Sequence, residues 1–101
     1  MRTFRNYLIE KLKDETEAGE YLKVALEEYE KDKNTAAFLL ALKTVVDAQG
    51  GVSMLAKKTE LNRQHLYRIL SREGNPRFNT LDSILHGLGF KLSIESIRKT
   101  A

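Results

Sequence analysis

Residues Gly51 to Ser71 read GVSMLAKKTELNRQHLYRILS. The pattern predicts a short helix, a tight turn and a second helix. Val52, Leu55 and Ala56 form an apolar stripe at helical spacing on the first helix, and Leu66, Ile69 and Leu70 form one on the second. Leu61 falls in the turn. Ala56 is small, as needed where two helices crossing over a short turn approach closely. Asn62 suits the N-cap of the second helix, because its side-chain oxygen accepts from backbone N–H groups that have no partner within the helix. Removing the apolar positions of the second helix leaves Arg63, Gln64, Tyr67 and Arg68 on one exposed face. The major groove of DNA admits a helix and is read by long donors and acceptors of this kind. The stretch therefore reads as a DNA-binding helix-turn-helix, with the recognition helix starting at Arg63.

Upstream of it, Thr35 to Ala48 is apolar around most of its circumference and is expected to be the central core helix. Gln49-Gly50-Gly51 ends it. Before it, Asp14 or Thr16 can cap a helix running to about Tyr29. Ala18, Tyr21, Leu22, Ala25, Leu26 and Tyr29 form its apolar stripe, and Glu20, Glu27, Glu28 and Glu30 face away. Gly19 weakens its first turn by roughly 1 kcal/mol relative to alanine. Phe4 to Lys13 predicts a further amphipathic helix, with Phe4, Leu8, Ile9 and Leu12 on one side.

Downstream, Gly74, Asn75 and Pro76 break the chain into a loop from Arg72 to Asn79. Asn79 with Asp82 resembles a capping box for a helix whose Leu81, Ile84, Leu85 and Leu88 face the core, and Gly87 and Gly89 flank its end. From Phe90 to Glu95 the period changes to two, which predicts a half-buried strand. A lone strand needs a partner for its backbone. The simplest partner is the same strand of a second copy about a two-fold axis, with Phe90, Leu92 and Ile94 at the dimer interface. The other reading is an extended tail lying on the core. The expected fold is all-α with extra N-terminal helices and one short C-terminal strand. It forms one domain over 1–101: a helical extension at 1–33, the helix-turn-helix core at 34–89, and the strand and tail at 90–101.

The 101 residues suffice for one modest core. With no cysteine, disulfides and thiolate metal sites are excluded, which suits a cytoplasmic setting. No apolar run approaches the ~18 residues of a membrane span, and the polar N-terminus does not read as a secretory signal. The net charge of +3 is unevenly spread. Residues 1–50 hold 8 Lys/Arg against 10 Asp/Glu, a net −2, and residues 51–101 hold 9 against 4, a net +5. Asp14 to Asp32 carries 8 acids and 2 bases, a net −6. Charged faces are ordinarily just solvated, so charge alone assigns no partner.

For DNA, Arg63 and Arg68 suit a guanine edge or a phosphate and Gln64 suits adenine. Tyr67 suits a phosphate or a thymine methyl. His65 faces phosphate or solvent at the start of the helix. Lys57, Lys58, Arg72 and Arg77 flank the helix as candidate backbone contacts, which position the protein without reading sequence. Helix-turn-helix shapes also occur as pure packing units, but the cluster of Arg, Gln and Tyr favours DNA. His65 and His86 are the only histidines, and neither has metal-site spacing. The acids of residues 14–32 suit solubility better than acid–base catalysis. No enzyme activity, metal, cofactor or small-molecule substrate is expected.

The run GGVSMLAKKTELNRQHLYRILSREGNPRFNTLDSILHGLGFKLSIE closely resembles the HigA-like addiction-module antidote proteins, within the lambda-repressor-like class. EAGEYLKVALEE and FLLALKTVVDAQGG upstream are similar to that family too. The specific part is the joint occurrence of Leu66-Tyr67-Arg68, Gly74-Asn75-Pro76-Arg77-Phe78 and Thr80-Leu81 at these spacings. The resemblance implies a helical bundle around a helix-turn-helix and a homodimer on an operator with two half-sites. It also implies a RelE/ParE-type toxin, a small basic ribonuclease-like protein, as the neutralised partner, with repression of the shared operon. In that case the acidic stretch at residues 14–32 is a candidate surface for the toxin, against the plain reading of a solvated helix. The family usually carries glycine at the position of Glu60, where the chain turns left-handed. The connection from Tyr29 to Asn34 is slightly longer than usual for it. The alternatives are a phage-type repressor without a toxin and a helical interaction module that does not bind DNA.

Overall fold

The structure is a computed structural model that describes residues 3–97; the last four residues of the expected tail and the first two of the N-terminus lie outside the described residues. It has six α-helices among the described residues: α1 (Phe4–Lys11), α2 (Glu15–Asp32), α3 (Thr35–Ala48), α4 (Gly51–Thr59), α5 (Arg63–Ile69) and α6 (Phe78–Gly87). The all-helical class expected from the periodicity is the class observed.

The helix starts follow from side chains that accept the unpaired N–H groups of a first turn. Asp14 Oδ1 accepts from Glu17 N–H at 3.1 Å, Asn34 Oδ1 from Ala37 N–H at 3.0 Å and Asn62 Oδ1 from His65 N–H at 3.0 Å. Helix α2 runs beyond Tyr29 to Asp32, where Lys33 turns left-handed (φ 54°) and its N–H closes on the Tyr29 carbonyl at 2.7 Å. Only Lys33 and Asn34 then separate α2 from α3. Helix α6 starts one residue before Asn79. Its backbone reaches back to the Arg77 carbonyl, which accepts from Leu81 N–H at 3.0 Å, so Asn79 sits inside the first turn and caps nothing.

Packing is organised on two helices. Helix α3 buries Leu39, Ala41, Leu42, Thr44, Val45, Val46 and Ala48 and is contacted by α1, α2 and α4. The chain then bends by 91° into α4. Gly50 (φ 115°) and Gly51 (φ 88°) make that bend at no steric cost. Helix α4 in turn carries α5 and α6. One apolar cluster runs through the molecule, from Leu12 and Leu22 through Leu42 and Val45 to Leu66 and Ile84.

Helix α1 is tied down largely by polar contacts. Arg5 donates to Asp47 Oδ2 at 2.6 Å and to Thr44 Oγ1 at 3.1 Å. Gln49 Nε2 donates to the carbonyls of Leu12 (2.7 Å) and Lys13 (3.1 Å), closing the C-terminal end of α1. Leu12 is fully buried and Leu8 and Ile9 partly so, but Phe4 is exposed, so the expected stripe is buried only toward its C-terminal end.

No strand forms from Phe90 to Glu95, which corrects the expected C-terminal strand. Phe90 N–H still bonds to the Leu85 carbonyl at 2.8 Å, and the chain beyond it runs along the helices without joining a ladder among the described residues. The alternation is real but has another cause. Phe90 lays its ring on Gly19, 3.1 Å from where a β-carbon would stand, and Leu92 is half-buried against the core, lining one cavity with Leu39, Leu81 and Leu85. A tail that lays Phe90 and Leu92 on a helical body shows the same period as a strand, and Ile94 continues that period while standing exposed beyond the body. The contact also explains Gly19: a side chain there would displace the Phe90 ring.

Gly74 holds the loop before α6 against the end of α5, and a β-carbon at this position would overlap the Ile69 carbonyl oxygen. A backbone atom cannot rotate away as a side chain can. Gly74→Ala is expected to cost about 1–3 kcal/mol, as overpacking does, seen as a lower midpoint in urea unfolding; a midpoint equal to wild type contradicts the packing.

Candidate nucleic-acid interface

The α4–turn–α5 unit is set by local chemistry. Glu60 closes α4 in the left-handed conformation (φ 63°, ψ 17°), its N–H bonding to the Ala56 carbonyl at 2.9 Å. Thr59 Oγ1 donates to the Leu55 carbonyl at 2.8 Å and accepts from Leu61 N–H at 3.2 Å. Asn62 then caps α5, so its side-chain oxygen is already committed. The turn has left-handed backbone where the family resemblance places glycine, and here a glutamate adopts it.

Burial orients the seven-residue α5. Leu66 is 0% and Ile69 6% exposed, and Leu70 follows them into the core. The opposite face presents Arg63, Gln64, His65, Tyr67 and Arg68 to solvent. Arg63 Nη1 donates to Ser53 Oγ at 3.1 Å, tying the start of α5 to the first turn of α4. Lys57 and Lys58 are exposed in the last turn of α4, and Arg72 and Arg77 are exposed in the loop between α5 and α6.

Ion pairing divides the chain. In its first half Arg5, Lys11, Lys13, Lys31, Lys33 and Lys43 each stand within 4 Å of a carboxylate. In its second half, among the described residues, the one such contact is between the His86 imidazole and Asp82, at 3.4 Å. Lys57, Lys58, Arg63, Arg68, Arg72 and Arg77 have no carboxylate partner there. A cation without an internal partner is available to phosphate, whereas most cations of the N-terminal half are taken up by its more numerous acids.

The sequence-derived candidates therefore gather on one unit: α4, its turn, α5 and the following loop. The other candidates lie elsewhere. Phe90 and Leu92 are half-buried against their own chain, and Ile94 stands 98% exposed beyond the last packed residue. Two residues escaped the sequence reading. Ser53 positions Arg63, and only the fold reveals their proximity. Phe78, quoted above only within the family motif, is 75% exposed at the start of α6, next to Arg77. His86 is a surface residue.

The fold and this face define a small all-helical protein with an uncompensated cationic face on a helix, a tight turn and a second helix. The model of the family described as "Probable addiction module antidote protein" matches residues 3–96, and the chain belongs to that family. No curated protein and no solved structure matches it.

The left-handed turn generates a test. A side chain in this conformation costs on the order of 1 kcal/mol relative to glycine. Glu60→Gly is expected to raise the thermal midpoint by roughly 4–8 °C for each kcal/mol relieved. An unchanged or lower midpoint in a calorimetric scan contradicts the strain.

Proposed function

We propose that this antidote protein is a DNA-binding antitoxin that acts as a homodimer, represses its own operon and neutralises a RelE/ParE-type toxin. The observation that carries the DNA part is the orientation of α5: Leu66 and Ile69 are buried while Arg63, Gln64, Tyr67 and Arg68 face outward beside unpaired lysines and arginines. In this reading α5 enters the major groove as the recognition helix of a helix-turn-helix. Arg68 and Gln64 read base edges, and Arg63 is aimed by Ser53. Tyr67 and His65 lie at the rim of the groove, Asn62 holds the start of the helix, and Lys57, Lys58, Arg72 and Arg77 grip phosphates on either side. Antitoxin membership favours a toxin partner over a stand-alone repressor.

A dimer places two recognition helices on half-sites about 34–36 Å apart, one turn of DNA. The exposed end of the C-terminal segment is the proposed contact, with Ile94 gaining cover from a second copy and Phe90 and Leu92 holding the segment in place. Ile94→Glu is expected to shift sedimentation toward the monomer at concentrations where wild type is dimeric. Equal behaviour moves the contact elsewhere. The protein acts by binding rather than by catalysis, in the cytoplasm. Among the described residues no single helix is long and apolar enough to cross a membrane.

Alanine variants separate reading from gripping. Arg68→Ala and Gln64→Ala are expected to lose ~1–3 kcal/mol of discrimination between operator and scrambled DNA, the worth of a bidentate base contact. Lys57→Ala is expected to weaken both DNAs alike. Equal, non-selective losses for all three in anisotropy titrations contradict the placement of α5 as the recognition helix.

A further inference from the structure

We propose that the groove between α2 and α3 is the docking site of a cationic partner protein with an apolar anchor. This proposal rests on the antidote reading above, which requires a neutralised partner, and adds the surface at which that partner binds. The groove has a volume of about 260 Å³. Its wall carries Tyr21, Val24, Tyr29 and Phe38, and its acids are Glu28 and Asp32. That volume lies below the ~300–1,000 Å³ of small-molecule sites and suits one or two inserted side chains.

The groove's own charge selects the occupant. Helix α2 also exposes Glu20, Glu27 and Glu30, and residues 14–32 carry a net −6. This field repels a nucleic acid and attracts a basic protein, raising its rate of encounter. Glu28 is paired with Lys31 at 3.6 Å, with both side chains largely exposed. Such an exposed pair contributes little to stability and exchanges readily for a cation brought by a partner. Asp32 is fixed at the rim, where its Oδ1 accepts from Asn34 N–H at 2.9 Å.

The aromatic wall suits the same occupant. Tyr29 and Phe38 meet edge to face, with centroids 6.5 Å apart. The ammonium of Lys33 sits 5.2 Å from the Tyr29 ring centroid, so this ring already serves as a cation platform. Val24 is 52% exposed in the wall, an apolar surface without cover in this chain.

The test is calorimetric titration of the full-length chain with the purified protein encoded by the adjoining gene, repeated for Val24→Asn and Glu28→Lys. Both positions are exposed, so thermal midpoint and selective DNA binding are expected to match wild type. Each substitution is expected to weaken partner binding by about tenfold, as loss of an interface anchor does. Partner binding by wild type that neither variant weakens overturns the groove and leaves the antidote reading standing. No partner binding by wild type overturns both. Variants that change only self-association mark the groove as a contact between copies, which also overturns the proposal.

Discussion

A helix that is apolar around most of its circumference must cover most of that surface, and covering α3, of which Leu40 alone among its leucines stays largely exposed, is the constraint from which the rest of the molecule follows. Its seven buried side chains point in several directions, so it takes α1, α2 and α4 to enclose them. The right-angled bend at Gly50 and Gly51 turns the chain away from α3, so α4 can cover one flank and present its own outer side to α5 and α6. The outward face of α5 is thus a consequence at two removes. Leu66 and Ile69 are drawn into the core that α3 and α4 share, and the polar residues between them have nowhere to go but out.

The charges follow a separate logic. In the first half of the chain most cations lie beside acids, and these exposed pairs add little to stability. Arg5 with Thr44 and Asp47 differs, because it fixes α1 on α3 by two hydrogen bonds from one guanidinium. In the second half the lysines and arginines near α5 lack such partners. Surface charge of one sign costs a little self-repulsion and is kept where something outside the chain balances it. The two halves therefore suit partners of opposite charge: a polyanion at α4–α5, and a basic protein at α2–α3 in the reading advanced here.

Much of this was legible in the sequence, because helical period and caps are local. Asn62 and the spacing of Leu66, Ile69 and Leu70 placed α5, and subtracting the buried positions yielded its outward face. The left-handed turn at Glu60 came from family resemblance, since glutamate gives no local sign of it. What stayed hidden depends on distance along the chain. The alternation of Phe90, Leu92 and Ile94 is equally a strand and a tail on a helical body, and only the position of Gly19 and Leu39 decides between them. Phe4 fits the stripe of its helix but stands exposed, although its neighbour Arg5 is tied to α3. Gly74 reads as a loop breaker, whereas its role is to let the loop pass against the Ile69 carbonyl. Ser53 and Arg63 are ten residues apart, so their hydrogen bond is a property of the folded surface.

The most direct measurement is equilibrium binding of the purified protein to the DNA upstream of its own gene, against scrambled DNA of equal length, across a salt series. The account predicts tighter binding to the native sequence. It also predicts a steep fall of affinity with salt, at about −0.9 in log–log slope for each phosphate held by the unpaired lysines and arginines. Equal affinity for the two DNAs, or affinity indifferent to salt, would contradict the claim that α5 and its cationic surround form a sequence-reading surface.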